Sequence, residues 1–166
     1  MIELVPPDSH HLRAAQGWLE LGNPREALVE LDRLGTAARA HPESLQTEWE
    51  IHAEQKHWER AAIIGQQAIT LAPEIPAGWL NRSFALHELR RTREAWDQLL
   101  PAAKHFPKEP TIAYNLACYA CQLGELDQSR DWLMRALQIG PDPKRIKSMA
   151  LEDVDLALLR SEISEM

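Results

Sequence analysis

Two cysteines, seven histidines and a surplus of carboxylates are the side chains with which this sequence could do chemistry, and their spacing decides which kind. Cys118 and Cys121 stand three residues apart, one helical turn, so they share a helix face. A thiol pair gains reactivity at a helix N-terminus in an electropositive setting. This pair lies inside an apolar helical stretch with no strand pattern beside it. A structural zinc site needs four ligands; no second Cys-x-x-Cys is present, and His87 adds at most a partial set. The cysteines therefore read as small core or groove residues. His10 and His11 adjoin Asp8 and Ser9, which reads as a capped helix start, and no nucleophile, base and orienting group can be assembled around them. The seven glycines are scattered and form no phosphate-binding loop. The expectation is a protein that is no enzyme and carries no cofactor and no metal.

Composition points the same way. The 166 residues suffice for one domain, taken as 1–166, and 45% apolar with 26% charged residues is an ordinary globular balance. A net charge of −7 argues against a nucleic-acid backbone as ligand and suits solubility or a basic partner. The start Met-Ile-Glu-Leu-Val-Pro-Pro lacks the pattern of a secretory signal. No apolar run approaches the roughly 18–20 residues of a membrane span. With two cysteines and no disulfide framework, the expectation is a cytoplasmic protein with no membrane partner.

The elements that position these residues follow from a repeat. Prolines recur at Pro42, Pro76 and Pro110, and again at Pro73, Pro107 and Pro141, each 34 apart. Ala27, Ala61 and Ala95 form a third series with this spacing, and Ala68, Ala102 and Ala136 a fourth. The phase gives repeats at about 8–41, 42–75, 76–109 and 110–143, followed by a tail, 144–166. Within a repeat the apolar period is helical: Leu116, Tyr119, Ala120 and Leu123 mark one helix, Gly124 stops it, and Leu126, Leu133, Ala136 and Leu137 mark a second. Gly22 holds the equivalent turn in the first repeat, with Asn23 as cap and Pro24 at the first helical position. Each repeat is thus a helix hairpin that cannot bury its apolar face alone, so neighbours must stack.

The period, the hairpin, Trp79, Ala95, Ala102, the Gly124 turn and the closing Pro107 resemble the tetratricopeptide repeat (TPR). The likeness covers about 8–143 and is weakest in the first repeat, where Arg39 replaces the closing proline. Tyr114 to Gly124 and the tail from Met149 to Leu156 are similar to bacterial TPR proteins with a C-terminal closing segment. The resemblance implies an all-α, right-handed α-solenoid of four hairpins plus a capping helical segment. It also implies that the first helix of each repeat lines a concave groove. By phase, that groove takes Arg13 from the first repeat, Glu50 and Glu54 from the second, Leu80, Asn81, Phe84 and His87 from the third, and Tyr114, Asn115 and Cys118 from the fourth. Asn81 and Asn115 are 34 apart and so stand on adjacent helices. An amide both donates and accepts, which suits a peptide backbone. The family's clamp for a C-terminal carboxylate needs paired basic residues; only Arg13 stands at a comparable phase, so that ligand class is not expected. The implied function is a non-catalytic scaffold for a peptide or protein partner, with self-association compatible with it. A TPR-type chaperone holding an unfolded or secreted client is the alternative.

Three places depart from the pattern. Trp49 sits where the family wants a small residue and Gly65 where it prefers a large one, which suggests compensation if the two meet. Pro101 falls inside a second helix and should end or kink it near Leu99. The tail, with Ile146, Met149, Leu151, Leu156 and Leu159, reads as a cover for the open end of the core; the competing reading is a displaceable segment in the groove. Most of the six tryptophans, at packing phases, are expected in the core.

Overall fold

The computed structural model describes residues 3–165. Among them there is no strand, and the helices follow the repeat. Repeat one holds α1 (Asp8–Glu20), α2 (Pro24–Asp32) and α3 (Thr36–Arg39); repeat two, α4 (Pro42–Glu54) and α5 (Trp58–Leu71). Repeat three holds α6 (Pro76–Glu88), α7 (Thr92–Leu99) and α8 (Ala102–His105); repeat four, α9 (Pro110–Gln122) and α10 (Leu126–Ile139). The tail forms α11 (Pro143–Glu152), a 3-10 helix (Val154–Leu159) and α12 (Arg160–Glu165). The chain divides into two compact units, Met1–Ala85 and Leu86–Met166, with the division inside α6.

The hairpin turns are built alike. Gly22, Lys56, Arg90 and Gly124 all have positive φ, at 69°, 56°, 62° and 78°. At each, the next N–H reaches back to the carbonyl five residues before: Asn23 to Trp18, His57 to His52, Arg91 to Leu86 and Glu125 to Ala120, at 2.8–2.9 Å. This is the six-residue closure that satisfies a helix end through a left-handed residue. Glycine takes that conformation freely at two of the turns. Lys56 and Arg90 adopt it against their Cβ, which is why the sequence showed only two of the four turns.

The alanine series marks where paired helices press together. Ala27, Ala61 and Ala95 are fully buried, and at the same phase in repeat four Ser129 is buried too. The Ser129 hydroxyl donates to the Ala117 carbonyl at 2.7 Å, so the extra polar atom is satisfied.

In the first unit, a core of Leu12, Ala15, Ala27, Leu31, Leu34, Ala38 and Ile51 joins repeat one to α4. The second helix of repeat one is not continuous, unlike the simple hairpin expected. It stops at Asp32, and Gly35 turns extended (φ −63°, ψ 158°) before α3. The Asp8 carboxylate takes the Gly35 N–H at 2.9 Å, which replaces the helical bond lost there. A second contact fixes α5 against α6. A Cβ on Gly65 would lie 2.7 Å from the Arg82 nitrogen, and one on Gly78 would lie 2.9 Å from the Ile69 nitrogen. Gly65 therefore lets two backbones touch. Trp49 is turned instead toward Phe84, with ring centroids 6.2 Å apart, so the glycine is explained by α6 rather than by compensation for the tryptophan.

In the second unit α9 packs along α10, and the tail packs on both. Pro101 ends α7 at Leu99 as expected. Beyond it, in the first turn of α8, Ala103 and Lys104 bond only three residues back, to Leu100 and Pro101. The tail buries Ala150, Leu156, Leu159 and Ile163 completely. Of the tryptophans only Trp96 is buried, and Trp18 is exposed, so the expectation of mostly core tryptophans does not hold.

Lys56→Gly removes a side chain from a left-handed position and should raise stability by about 0.5–1 kcal/mol in urea denaturation. Gly65→Ala should lower it by about 1–3 kcal/mol, because backbone rather than a flexible side chain stands in the way.

Candidate interaction face

In the first unit the first helices α1, α4 and α6 lie side by side and are tied by side chains. Gln16 Nε2 donates to Thr47 Oγ1 at 3.4 Å, and Asn81 Nδ2 donates to Gln46 Oε1 at 2.7 Å. Gln46 Nε2 donates in turn to Glu50 Oε1 at 2.8 Å. The direction of this last chain is dictated by its end. An ionised carboxylate only accepts, so Gln46 must offer its NH2 to Glu50 and its oxygen to Asn81, which must then offer its own NH2. Arg13, Glu50 and Glu54 are exposed, while Leu80 and Asn81 are half-buried. Phe84, 39% exposed, stands edge-on to Trp49 and to Trp58, with centroids 6.2 and 5.7 Å away. Such T-shaped pairs fix an aromatic side chain at the surface in one orientation.

Beside the amide chain opens a cavity of about 370 Å³, walled by α4, α5 and the first half of α6. Trp49, Ile64, Ala68, Leu71 and Ile75 supply its apolar lining, and Glu43, Gln46, Glu50 and Asn81 its polar edge.

In the second unit the predicted groove residues meet the tail. Asp153 Oδ2 accepts from the Tyr114 hydroxyl at 2.8 Å and from the Cys118 thiol at 3.6 Å. Asp155 Oδ2 lies 3.0 Å from His87 Nε2, and the Asp155 carbonyl accepts from Gln122 Nε2 at 3.1 Å. His87 Nδ1 lies 3.0 Å from the Thr92 hydroxyl, so both ring nitrogens are hydrogen-bonded. The ring lies tilted against Tyr119 at 4.9 Å. His87 and Cys118 are buried, and Tyr114 and Asn115 are half-buried. The structure thus brings Glu50 and Asn81 into one hydrogen-bonded row. It places His87, Tyr114 and Cys118 beneath the tail, so two of the three are not open surface. The two aspartates that do this were missed in the sequence; the signal available was Asp153 as a cap, its carboxylate accepting from the Asp155 N–H at 2.9 Å.

Burial pushes the Cys118 thiol well up, with Asp153 and Asp155 adding to it, and burial also raises Cys121. Burial, the nearby Cys118 and the bond to Asp153 likewise raise Tyr114. A thiol held protonated is neither a nucleophile nor a metal ligand. Among the described residues no three His, Cys, Asp or Glu side chains converge as a ligand set. A thiol reagent at pH 8 should therefore react with both cysteines only on the timescale of unfolding. Leu156→Ala, which undoes the tail's packing at a cost of about 2–5 kcal/mol, should speed that reaction at least tenfold.

Comparison with known proteins places the architecture. No protein-family model and no curated protein matches the sequence. Solved structures do match. MamA (residues 41 to the end) from Desulfovibrio magneticus RS-1 superposes with a TM-score of 0.73 at 17% identity, over 98% of this chain and 96% of that one. MamA from AMB-1 gives 0.68 at 14% identity, over 96% and 92%. PilF from Pseudomonas aeruginosa gives 0.60 at 17% identity, over 95% and 87%. These are TPR proteins, and identities this low speak for fold alone. With the 34-residue period and the recurring left-handed turns, they establish that the chain has the all-α fold of a tetratricopeptide-type solenoid.

Proposed function

We propose that this protein is a non-catalytic scaffold that holds a peptide or protein partner on the face formed by its first helices. The observation that carries the reading is the row Asn81–Gln46–Glu50 beside a part-exposed Phe84. Oriented polar groups next to an aromatic held by its neighbours are what a recognition surface needs, since anchors of this kind contribute most of the binding energy. Arg13, Glu50, Glu54, Leu80, Asn81 and Phe84 are the residues assigned to contact. Tyr114 and Asn115, half-buried, offer the partner less surface, while His87 and Cys118 are spoken for by the tail.

Fully burying Leu156, Leu159 and Ile163 stabilises the tail's seat by about 1.5–3 kcal/mol each. A ligand of modest affinity does not displace such a segment, so the tail acts as a cover rather than a removable plug. The tail is also the reason for centring contact on the first unit. Affinity on the order of micromolar is expected, roughly −8 kcal/mol.

The test starts from a partner captured on the intact chain and identified by mass spectrometry, then titrated. Asn81→Ala with Phe84→Ala should weaken binding about tenfold or more, with melting little changed, because both side chains reach the surface. Ile63→Asp, on the exposed side of α5, should leave affinity within twofold. Loss of binding with Ile63→Asp and not with the first pair would place function on the opposite face.

A further inference from the structure

Resting on that reading, we infer that the cavity between α4, α5 and α6 is a socket for one aliphatic side chain of the partner, flanked by a lysine or arginine. Its volume, about 370 Å³, lies near the bottom of the range for ligand pockets, so it fits a side chain rather than a length of peptide. The space exists because the residues around it are small. Ala68, Ala72, Ala77 and Gly78 line it where larger side chains would fill it. Ile64 and Ala72 beneath are buried and fixed, so the floor is preformed.

The edge selects the flanking residue. The amide row runs from Asn81 through Gln46 to Glu50. Both hydrogen-bonding ends of Gln46 are engaged in it. Asn81 and Gln46 each keep one amide N–H beyond these bonds, while every charge in the lining is negative, on Glu43 and Glu50. No lysine or arginine lines the cavity, so nothing neutralises this edge from within. An edge whose only charges are carboxylates, around an apolar hollow, disfavours a carboxylate and favours a cationic donor. Both carboxylates are exposed, so their attraction acts mainly on arrival and is sensitive to salt.

Three synthetic nonapeptides, identical apart from a central Lys-Leu-Lys, Lys-Ala-Lys or Glu-Leu-Glu, test this on the intact chain. The readout is the side-chain amide signals of Asn81 and Gln46 and the Trp49 indole signal in nuclear magnetic resonance. Lys-Leu-Lys should shift all three saturably, at least tenfold more tightly than either other peptide, and should weaken as salt is raised. Glu43→Gln with Glu50→Gln keeps the acceptor for Gln46 and should abolish the salt dependence. Ala77→Leu, which fills the hollow, should erase the preference for leucine over alanine. If that variant melts early, the two glutamine substitutions still decide the cationic half and the Lys-Ala-Lys comparison the aliphatic half. Equal binding of Glu-Leu-Glu at these signals would overturn the inference while leaving the scaffold reading intact. Lys-Leu-Lys shifting only signals of α5's exposed side would overturn both.

Discussion

The structure depends on one constraint: a two-helix hairpin has an apolar face that it cannot cover by itself. Each repeat therefore has to present small residues where its helices pair, and the last must be covered by something else. Ala27, Ala61 and Ala95 meet the first requirement, and Ser129 meets it with a hydroxyl bonded to the Ala117 carbonyl. Leu156, Leu159 and Ile163 meet the second. Solenoids are held by such nearest-neighbour contacts, so a weak point stays local. The break at Pro101 and the interrupted second helix of repeat one are tolerated for that reason.

The same constraint sorts the polar residues. A first helix has one face buried against its hairpin partner, and what is left over lies along a row with the first helices beside it. In the first unit that row carries linked side chains, and their bonds have a sense fixed by the carboxylate of Glu50. In the second unit the corresponding donors, Tyr114, Cys118, Gln122 and His87, are satisfied by Asp153 and Asp155 of the tail. Buried donors need acceptors, and the tail supplies them along with its aliphatic cover. Cap and polar partner are one segment, which explains an acidic pair in a stretch that otherwise reads as hydrophobic closure.

The repeat was legible because it rests on residue types with strong backbone or steric consequences. Proline at a helix start, glycine at a left-handed turn and alanine at a helix crossing each narrow the structure locally, and a period of 34 residues multiplies the signal. Lys56 and Arg90 hid two turns because neighbouring bonds, not residue type, hold them left-handed. Gly65 was visible as an anomaly but not as a contact, since its partner is backbone 17 residues on and carries no side-chain signature. The predicted groove row set Glu50 and Asn81 on neighbouring first helices, and the structure links them through Gln46. It failed to foresee that His87 and Cys118 are covered, because phase says which way a residue points and not what lies over it.

The account's central claim is that the first-helix face of the first unit receives the partner while the tail stays seated. Hydrogen exchange of the intact chain, measured with and without a saturating captured partner, tests it most directly. The account predicts added protection in α4 and α6, none in the exposed turns of α5 or α10, and unchanged slow exchange in residues 154–163. Protection gained on α5 and α10 with α4 and α6 unchanged, or faster exchange of the tail on binding, would contradict it.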